Sequence, residues 1–508
     1  MTVLKQVFNP YLPLNEYIPD GEPHVLGDRV YIFGSHDRVG GETFCELDYV
    51  VYSADIHDLT DWRCEGTIYS AGQDPHHTET VKGAGERKYL YAPDVAQGPD
   101  GRYYLYYFLS AFAGKGGFDG PVSVAVCDTP AGKYEYYGDV HYADGRTMLD
   151  FIPFDPGVIN DDGHIYLYYG WALPVKPAKS RMVDKIYRKI MHGMFPKKTM
   201  EEIYSSAPGI MGANMVELED DMLTVKQPPK RIIPCEMDAK GTSFEGHAFF
   251  EGSSIRKVNG MYYLIYSSSV NHELCYAVSQ YPDRGFEYGG VIISNGDIGV
   301  NGRKSKDRVA ATGNNHGSIE QINGIWYIFY HRHTHLTSNS RQGCAEKIRI
   351  EKDGSIRQVC MTSCGLNRGP LAARGTYPAS IACNLTDGRM PHVGNGKCRK
   401  KKPCIVEENG KQYITGIHNH TLIGYKYFDL QDETFITLMT RGTGKGIFRV
   451  CADPSKTLAR IEVTPSGEWK ESSEKLRIEG THTIYLIYEG SGMTELLSID
   501  FSVPSVRK

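Results

Sequence analysis

Basic residues are not in excess in this sequence. Across 508 residues, 56 Lys and Arg face 61 Asp and Glu, a formal net charge of −5. That balance generates no field that attracts a polyanion, so no nucleic-acid partner is expected. Long apolar runs are also missing: the longest are strand-sized, which leaves no segment able to cross a bilayer as a helix. Met1–Leu14 lacks a basic stretch followed by an apolar one, so no secretory leader is read and a cytoplasmic protein is expected. Cysteines number 12, with Cys360 and Cys364 the closest pair and no recurring CxxC. Such scatter argues against a zinc site and a disulfide scaffold, and for reduced, buried thiols. Tryptophan is scarce, at 4. There is no HExxH helix either: His76 and His77 are adjacent, and His331, His333 and His335 alternate as on a strand.

What the chain has in quantity is tyrosine, 35 of them, with 55 glycines and 26 prolines. Tyrosine suits pleated, half-buried surfaces and glycine suits turns, so the composition points to an all-β protein. One strand pattern recurs: a turn residue, one or two variable positions, then alternating tyrosine and aliphatic residues. It reads Asp28-Arg-Val-Tyr31-Ile-Phe33, Gly101-Arg-Tyr-Tyr104-Leu-Tyr106, Gly163-His-Ile-Tyr166-Leu-Tyr168, Gly260-Met-Tyr-Tyr263-Leu-Ile265 and Gly324-Ile-Trp-Tyr327-Ile-Phe329. The aligned tyrosines are separated by 73, 62, 97 and 64 residues, each gap with room for one four-stranded sheet plus loops. Five such sheets, none able to bury both faces alone, pack radially as a five-bladed β-propeller.

The longest gap contains an insertion. Between Pro177 and Pro208 the alternation stops, and Met182, Ile186, Ile190 and Met194 recur every fourth residue with Lys185, Arg188 and Lys189 between them. This predicts an amphipathic helix within about 178–205, packed as an excursion or lid rather than lying on a membrane.

Ten to twelve residues before the aligned tyrosines stand Asp20, Asp94, Asp155, Glu251 and His316. The first strand of every propeller blade lines the central channel, so these five positions are expected to converge at one depth. Ionisable groups gathered there repel and desolvate one another, which a substrate, a metal or a catalytic role would explain. Two carboxylates across a channel are the apparatus of glycoside hydrolysis: one protonates the leaving oxygen, the other activates water or attacks directly. A third beside the acid raises its pKa by like-charge repulsion. A tyrosine-rich mouth suits a sugar.

Beyond about Gly365 the blade pattern ends. A turn-rich stretch through Asn384, Asp387 and Pro391 leads to the run Lys397-Cys-Arg-Lys-Lys-Lys402, read as a solvated loop. Strands are then expected at 412–417, 422–428, 435–439, 447–451, 460–463 and 483–488, a spacing that predicts a β-sandwich. The domains expected are therefore a propeller over 1–365 and a sandwich over 366–508.

Several segments together resemble glycoside hydrolase family 43. They are Pro19-Asp-Gly-Glu-Pro-His-Val25, Tyr31-Ile-Phe-Gly-Ser-His-Asp37, Tyr91-Ala-Pro-Asp94, Phe154-Asp-Pro156, Phe250-Glu-Gly252 and Gly313-Asn-Asn-His-Gly-Ser318, followed by Trp326 to His331. The resemblance covers roughly residues 5–365 and implies a five-bladed propeller that cleaves β-xylosides, α-L-arabinofuranosides or arabinan with inversion. It implies Asp20 as general base, Asp155 as pKa modulator and Glu251 as general acid. The candidate substrate contacts are His36, His316 and Arg341, with Asp94 on the same ring read as structural or one step removed from the sugar, and the resemblance implies a central water cluster or cation, often calcium, held with the help of His316. One departure is visible: Asp20 is followed by Gly21, where the family usually has proline. The tail, from Gly424 to Asp429 through Trp469 to Phe501, is similar to carbohydrate-binding modules of family 6, with Trp469 and Tyr427 as candidate sugar platforms or core residues.

The expected function is that of an inverting exo-glycosidase acting on a small oligosaccharide or glycoside, with no organic cofactor and no nucleic-acid or membrane partner. The alternatives are a non-catalytic sugar-binding propeller and a retaining, fructan-type five-bladed hydrolase.

Overall fold

Each of the five tyrosine-marked segments is the second strand of an antiparallel sheet. The computed structural model describes residues 6–502, apart from 113–117, 151, 174–179, 196–198, 200–210 and 394–400. Blade 1 is built from Glu22–Leu26, Arg29–Phe33, Tyr49–Asp55 and Asp58–Tyr69, in that spatial order. Blade 2 runs from Tyr89–Gln97 through Tyr103–Ser110 and Val122–Cys127 to Glu135–Asp139. Blade 3 opens with Gly157–Asp161 and His164–Tyr169, blade 4 with Phe249–Val258 and Met261–Ser268. Blade 5 has three strands, Ile319–Ile322, Ile325–His333 and Arg341–Lys347.

The ring closes through five apolar cores, each shared by two neighbours. Phe33 and Val51 of blade 1 pack on Leu105 and Tyr107 of blade 2. Tyr106 and Val124 meet Ile165 and Val216 of blade 3. Tyr168 and Met215 meet Leu264 and Tyr266 of blade 4. Ile265 meets Ile328 of blade 5, and Phe329 and Ala345 of blade 5 return to Val30 and Ile32 of blade 1. The abundance of tyrosine has a physical reason here. Its ring is buried between blades while its hydroxyl donates to a carbonyl on the next one. Tyr106 donates to Met222 O at 2.7 Å, Tyr168 to Pro282 O at 2.8 Å and Tyr263 to Gly354 O at 2.9 Å.

The chain beyond the propeller folds as two face-to-face sheets around one core that includes Ile414, Leu438 and Ile499 of one sheet and Ile423, Phe448 and Leu486 of the other. All six strands expected there are present, within Lys411–Ile417, Leu422–Leu430, Phe435–Gly442, Lys445–Asp453, Lys456–Val463 and Gly480–Ser491. The strand Ser466–Lys475 carries no apolar alternation, because its side chains are mostly exposed, and the sequence does not announce it. The two candidate platforms are engaged elsewhere. Trp469 packs edge-on against Tyr413 at 5.4 Å and carries the Arg441 guanidinium at 4.5 Å from its ring. The Tyr427 hydroxyl lies 3.8 Å from Cys360 Sγ at the seam with the propeller.

The insertion forms a helix, α1, over Arg181–Met194, capped by Ser180 Oγ accepting from Val183 N at 3.3 Å. Its packed face differs from the one expected. Met182, Ile186 and Ile190 are exposed (72%, 51% and 44%), and only the last turn docks, through Met191 and the following Phe195. That turn seats on Phe118 and Trp171, so the helix is anchored by its end and not along its stripe. Of the basic run, residues 397–400 lie outside the described residues, as do 178–179 and most of 195–205 beyond Phe195 in the insertion. Among the described residues no helix is long and apolar enough to cross a membrane. All eleven described cysteines are free, most of them buried.

Candidate active site

Asp20 and Asp155 each stand two residues before the first strand of a blade, and both adopt left-handed φ angles of 57° and 47°. For a non-glycine residue this costs on the order of 1–3 kcal/mol, and it persists only where the surroundings enforce it. Glu251 sits early in the first strand of blade 4, at an irregularity in its pairing, followed by Gly252 at φ 77°. A Cβ at residue 252 would come within 3.1 Å of the His316 ring, so the glycine permits a close approach that any other side chain would disturb. Gly21 is also tightly packed: a Cβ there would lie 3.3 Å from Ile32 and 3.4 Å from the Tyr11 hydroxyl.

These local devices bring Asp20, Asp155, Glu251, His316 and Arg341 to the wall of one cavity of about 150 Å³. Aromatic rings of Phe44, Tyr91, Phe118, Phe154, Trp171 and Phe250 form its apolar sides. The volume is below the range of about 300–1,000 Å³ typical of drug-sized ligands, so the cavity suits a single small residue rather than a length of polymer.

The three acids have unlike surroundings. Arg341 Nη1 donates to Asp20 Oδ1 at 2.9 Å. The guanidinium is itself fixed by Asp37, receiving Nε at 2.8 Å, Nη2 at 3.0 Å and the Arg341 backbone N–H at 3.1 Å. His331 Nδ1 lies 3.2 Å from Asp20 Oδ1. Burial pushes the Asp20 carboxyl up, but the Arg341 guanidinium, foremost among the groups around it, outweighs burial and holds it well below the usual carboxylate range. His331 is oriented in turn: its Nε2 faces the Asn314 carbonyl at 2.9 Å, so that nitrogen donates, and Nδ1 accepts the Asp20 backbone N–H at 3.3 Å.

Glu251 stands on the other side of that balance. Burial first, then the negative charge of Asp20, pushes its carboxyl up to about 8, against the opposing pull of Arg341, Asn314 and Trp171. Asp155 is also raised, by burial and by the charges of Glu251 and Asp20. Its Oδ2 accepts the Gly252 N–H at 3.1 Å. His316 Nδ1 is 3.7 Å from Asp155 and 3.9 Å from Asp20, and burial lowers its pKa to about 4, so the ring is neutral at ordinary pH.

Two of the candidate site residues are placed elsewhere. Asp94 is fully buried and does not line the cavity. Its Oδ1 pairs with His24 Nε2 at 2.7 Å and accepts Val95 N, while Oδ2 accepts Val158 N at 2.7 Å. It ties blade 2 to blades 1 and 3, because its channel-facing strand position lies deeper than those of the other acids. His36 also lies off the cavity wall, its Nδ1 donating to Asp48 O at 2.9 Å. The neighbouring Asp37 is the working member of that segment. Trp171 and Asn314, which hydrogen-bond Glu251, were not singled out from sequence, nor were Met194, Asn271, His392 and Val393, which complete the lining. Asn314 and Asp37 lie inside motifs already quoted, two residues before His316 and four after Phe33, where a fixed offset from the repeat is a usable signal.

Below the cavity, Glu22, His24 and Asp94 have ligand atoms within 4.8 Å of one another. Glu22 Oε1 and His316 Nε2 are 3.9 Å apart, both buried, and neither has a hydrogen-bond partner.

The model for glycosyl hydrolases family 43 matches residues 19–193 and 194–356. A xylosidase/arabinosidase of Thermoclostridium stercorarium is 45% identical over 509 residues, covering 97% of this chain and 98% of that one. A xylosidase/arabinosidase of Bacteroides ovatus is 28% identical over 337 residues, covering 63% of this chain and 87% of its own length. Among solved structures, the family 43 arabinoxylan arabinofuranohydrolase of Bacillus subtilis, in complex with cellotetraose, aligns over 97% of both chains at 20% identity, with a TM-score of 0.47. With a family match across most of the propeller and a full-length relative sharing nearly half its residues, the chain belongs to glycosyl hydrolase family 43 and is a glycoside hydrolase.

Proposed function

We propose that the enzyme is an inverting exo-glycosidase that removes terminal β-D-xylosyl or α-L-arabinofuranosyl residues from hemicellulose-derived oligosaccharides. The observation that carries this reading is the opposed protonation of two carboxyls in one small cavity: Asp20 held ionised beside Arg341, Glu251 holding its proton toward pH 8. Water enters on the Asp20 side and gives up a proton to that carboxylate as its oxygen attacks the anomeric carbon. Glu251 delivers a proton to the leaving oxygen, and the glycosidic bond breaks with inversion. Asp155, the expected modulator of the acid, has its own carboxyl raised by burial and by the charge of Glu251, and it accepts the Gly252 N–H next to the acid, which orients that strand. Trp171 and Asn314 fix the Glu251 side chain, and the ring of aromatic residues excludes bulk water and gives the sugar's C–H faces a surface to stack on.

A cation beneath the sugar fits the two partnerless buried atoms, Glu22 Oε1 and His316 Nε2. Those residues would hold a calcium ion that keeps most of its water, and it would supply fixed positive charge under the acids.

Relatives described as xylosidase/arabinosidase support the pentose specificity. A panel of nitrophenyl glycosides, with NMR of the first-formed anomer, tests the whole reading. The expected result is cleavage of a β-xyloside or α-L-arabinofuranoside with the opposite anomer appearing first. A first product of retained configuration, or no cleavage of either pentoside, would count against it.

A further inference from the structure

Residues 34–48, between the second and third strands of blade 1, close around one guanidinium. Asp37, whose side chain is fully buried, takes the Nε and Nη2 edge of Arg341 at 2.8 and 3.0 Å, and its Oδ2 also accepts the Arg341 backbone N–H at 3.1 Å. Phe44, which lines the cavity, lays its ring 4.7 Å from the guanidinium carbon. Cys45 Sγ accepts from Nη2 at 3.6 Å, and burial pushes that thiol up, so it stays neutral. Cys45 is itself held at a left-handed φ of 59°, and in that conformation its backbone N–H donates to Asp37 Oδ1 at 3.0 Å. The loop is tied to the residues just before the arginine: Gly40 N donates to Ser340 Oγ and Asn339 Nδ2 to Gly41 O, both at 3.0 Å.

This enclosure decides where the arginine can act. Bidentate pairing through Nε and Nη2 fixes the guanidinium plane. The remaining terminal nitrogen, Nη1, is the one that reaches Asp20 Oδ1, at 2.9 Å. Asp20 depends on that contact. It interacts with Arg341, His331, His316, Asp155, Glu251 and Cys45. Burial lowers both histidines, His316 to about 4, so neither ring is charged at neutral pH. Among the described residues Arg341 is then the one cation at the base, and Asp37 is what holds it there.

We propose that Asp37 is a positioning residue for the reaction: it acts through Arg341 to keep Asp20 ionised and aimed at the water it deprotonates. The inference rests on the glycosidase reading above and adds to it a residue that does not line the cavity and meets no sugar. The loop of blade 1 thereby governs the base from behind the wall, by fixing the plane of one side chain of blade 5. Asp37 and Arg341 also depend on each other for folding. A buried charge that loses its partner destabilises a protein far more than the removal of both charges does.

A double-mutant cycle on the full chain tests this, with nitrophenyl β-D-xyloside and nitrophenyl α-L-arabinofuranoside as substrates. Asp37→Asn is expected to lower kcat about thirtyfold, the effect of a misaligned group. An acidic limb should appear in its pH profile, as the Asp20 carboxyl loses its cation and moves up towards the ordinary range. Introduced into Arg341→Met, the same substitution should cost no further activity. It should also raise the melting temperature there, although it lowers that of wild type, because it removes a stranded charge. Asp37→Glu keeps the charge but lengthens the brace by one carbon. It covers the case of a poorly folded Asn variant and should lose kcat severalfold, with the same acidic limb. Wild-type activity and pH profile in either folded variant, or a thirtyfold loss that persists in the Arg341→Met background, overturns the proposal. A wild-type chain inert on both substrates would refute the glycosidase reading instead. The brace is then read from the Asp20 carboxyl signal in carbon-13 NMR: a titration moved to higher pH in Asp37→Asn supports it, and an unmoved one overturns it.

Discussion

Asp20 and Glu251 occupy corresponding places in two blades, yet the protein treats them in opposite ways. The Asp20 side is built from blade 5 and the first inter-strand loop: Arg341 is braced by Asp37, and His331 is locked by Asn314 O. The Glu251 side is built from Trp171, Asn314 and Phe250, with no cation within ion-pairing distance among the described residues. Both carboxyls are buried, so desolvation alone would raise both. What separates them is one guanidinium, placed on one side only. The difference teaches that in a radially repeated fold the repeat sets where an acid stands, and its neighbours from other blades set its charge.

Removing either carboxylate should break the pair outright. Glu251→Gln and Asp20→Asn are each expected to reduce kcat/KM by about a thousandfold or more while leaving the circular-dichroism spectrum unchanged. Activity near that of wild type in either variant would dissolve the assignment.

Removing the asymmetry is the next largest effect. Arg341→Met is expected to cost about a hundredfold in kcat. It should also change the shape of the pH profile. Wild-type kcat/KM falls above about pH 8 as Glu251 loses its proton, and shows no acidic limb across the range in which the protein folds, because Asp20 stays ionised. Without the guanidinium, the Asp20 pKa rises towards or above the usual carboxylate value of about 4, and an acidic limb appears in the profile.

The smallest effect is on stability. Glu251 has a folded pKa of about 8, above an unfolded value of about 4.3, so the folded state holds a proton that the unfolded chain releases. Stability from this group is fully present below about pH 4 and is lost as pH rises towards 8. Glu251→Gln removes that slope. Its melting temperature should exceed that of wild type at pH 8 and match it near pH 4, the gap closing steadily as pH falls between them.

Much of this was legible in the sequence because the propeller repeats. The turn-then-tyrosine pattern marks the second strand of all five blades, and counting back from it reaches four residues of the cavity wall. Asp94 shows the limit of that method: it shares the offset but lies deeper, on a strand whose pairing shifts between Tyr91 and Asp94. His36 shows another, since alternation along a segment puts adjacent residues on opposite sides and Asp37 faces the arginine. The stripe on α1 predicted the helix but not its docking, because the apolar partner on the propeller touches only its last turn. His392 and Val393 left no local signal at all. They reach the cavity through packing between two domains, which no periodicity encodes.

The central claim is that one cavity holds an ionised Asp20 and a protonated Glu251 at neutral pH. It is tested most directly by carbon-13 NMR of carboxyl-labelled protein, with the Glu251 and Asp20 signals assigned by difference from the Glu251→Gln and Asp20→Asn variants. The account predicts a Glu251 titration centred near pH 8 and an Asp20 signal that stays in its ionised position down to the pH at which the fold is lost. A Glu251 midpoint in the ordinary range of about 4 to 5, or an Asp20 that takes up a proton before Glu251 does, would contradict it.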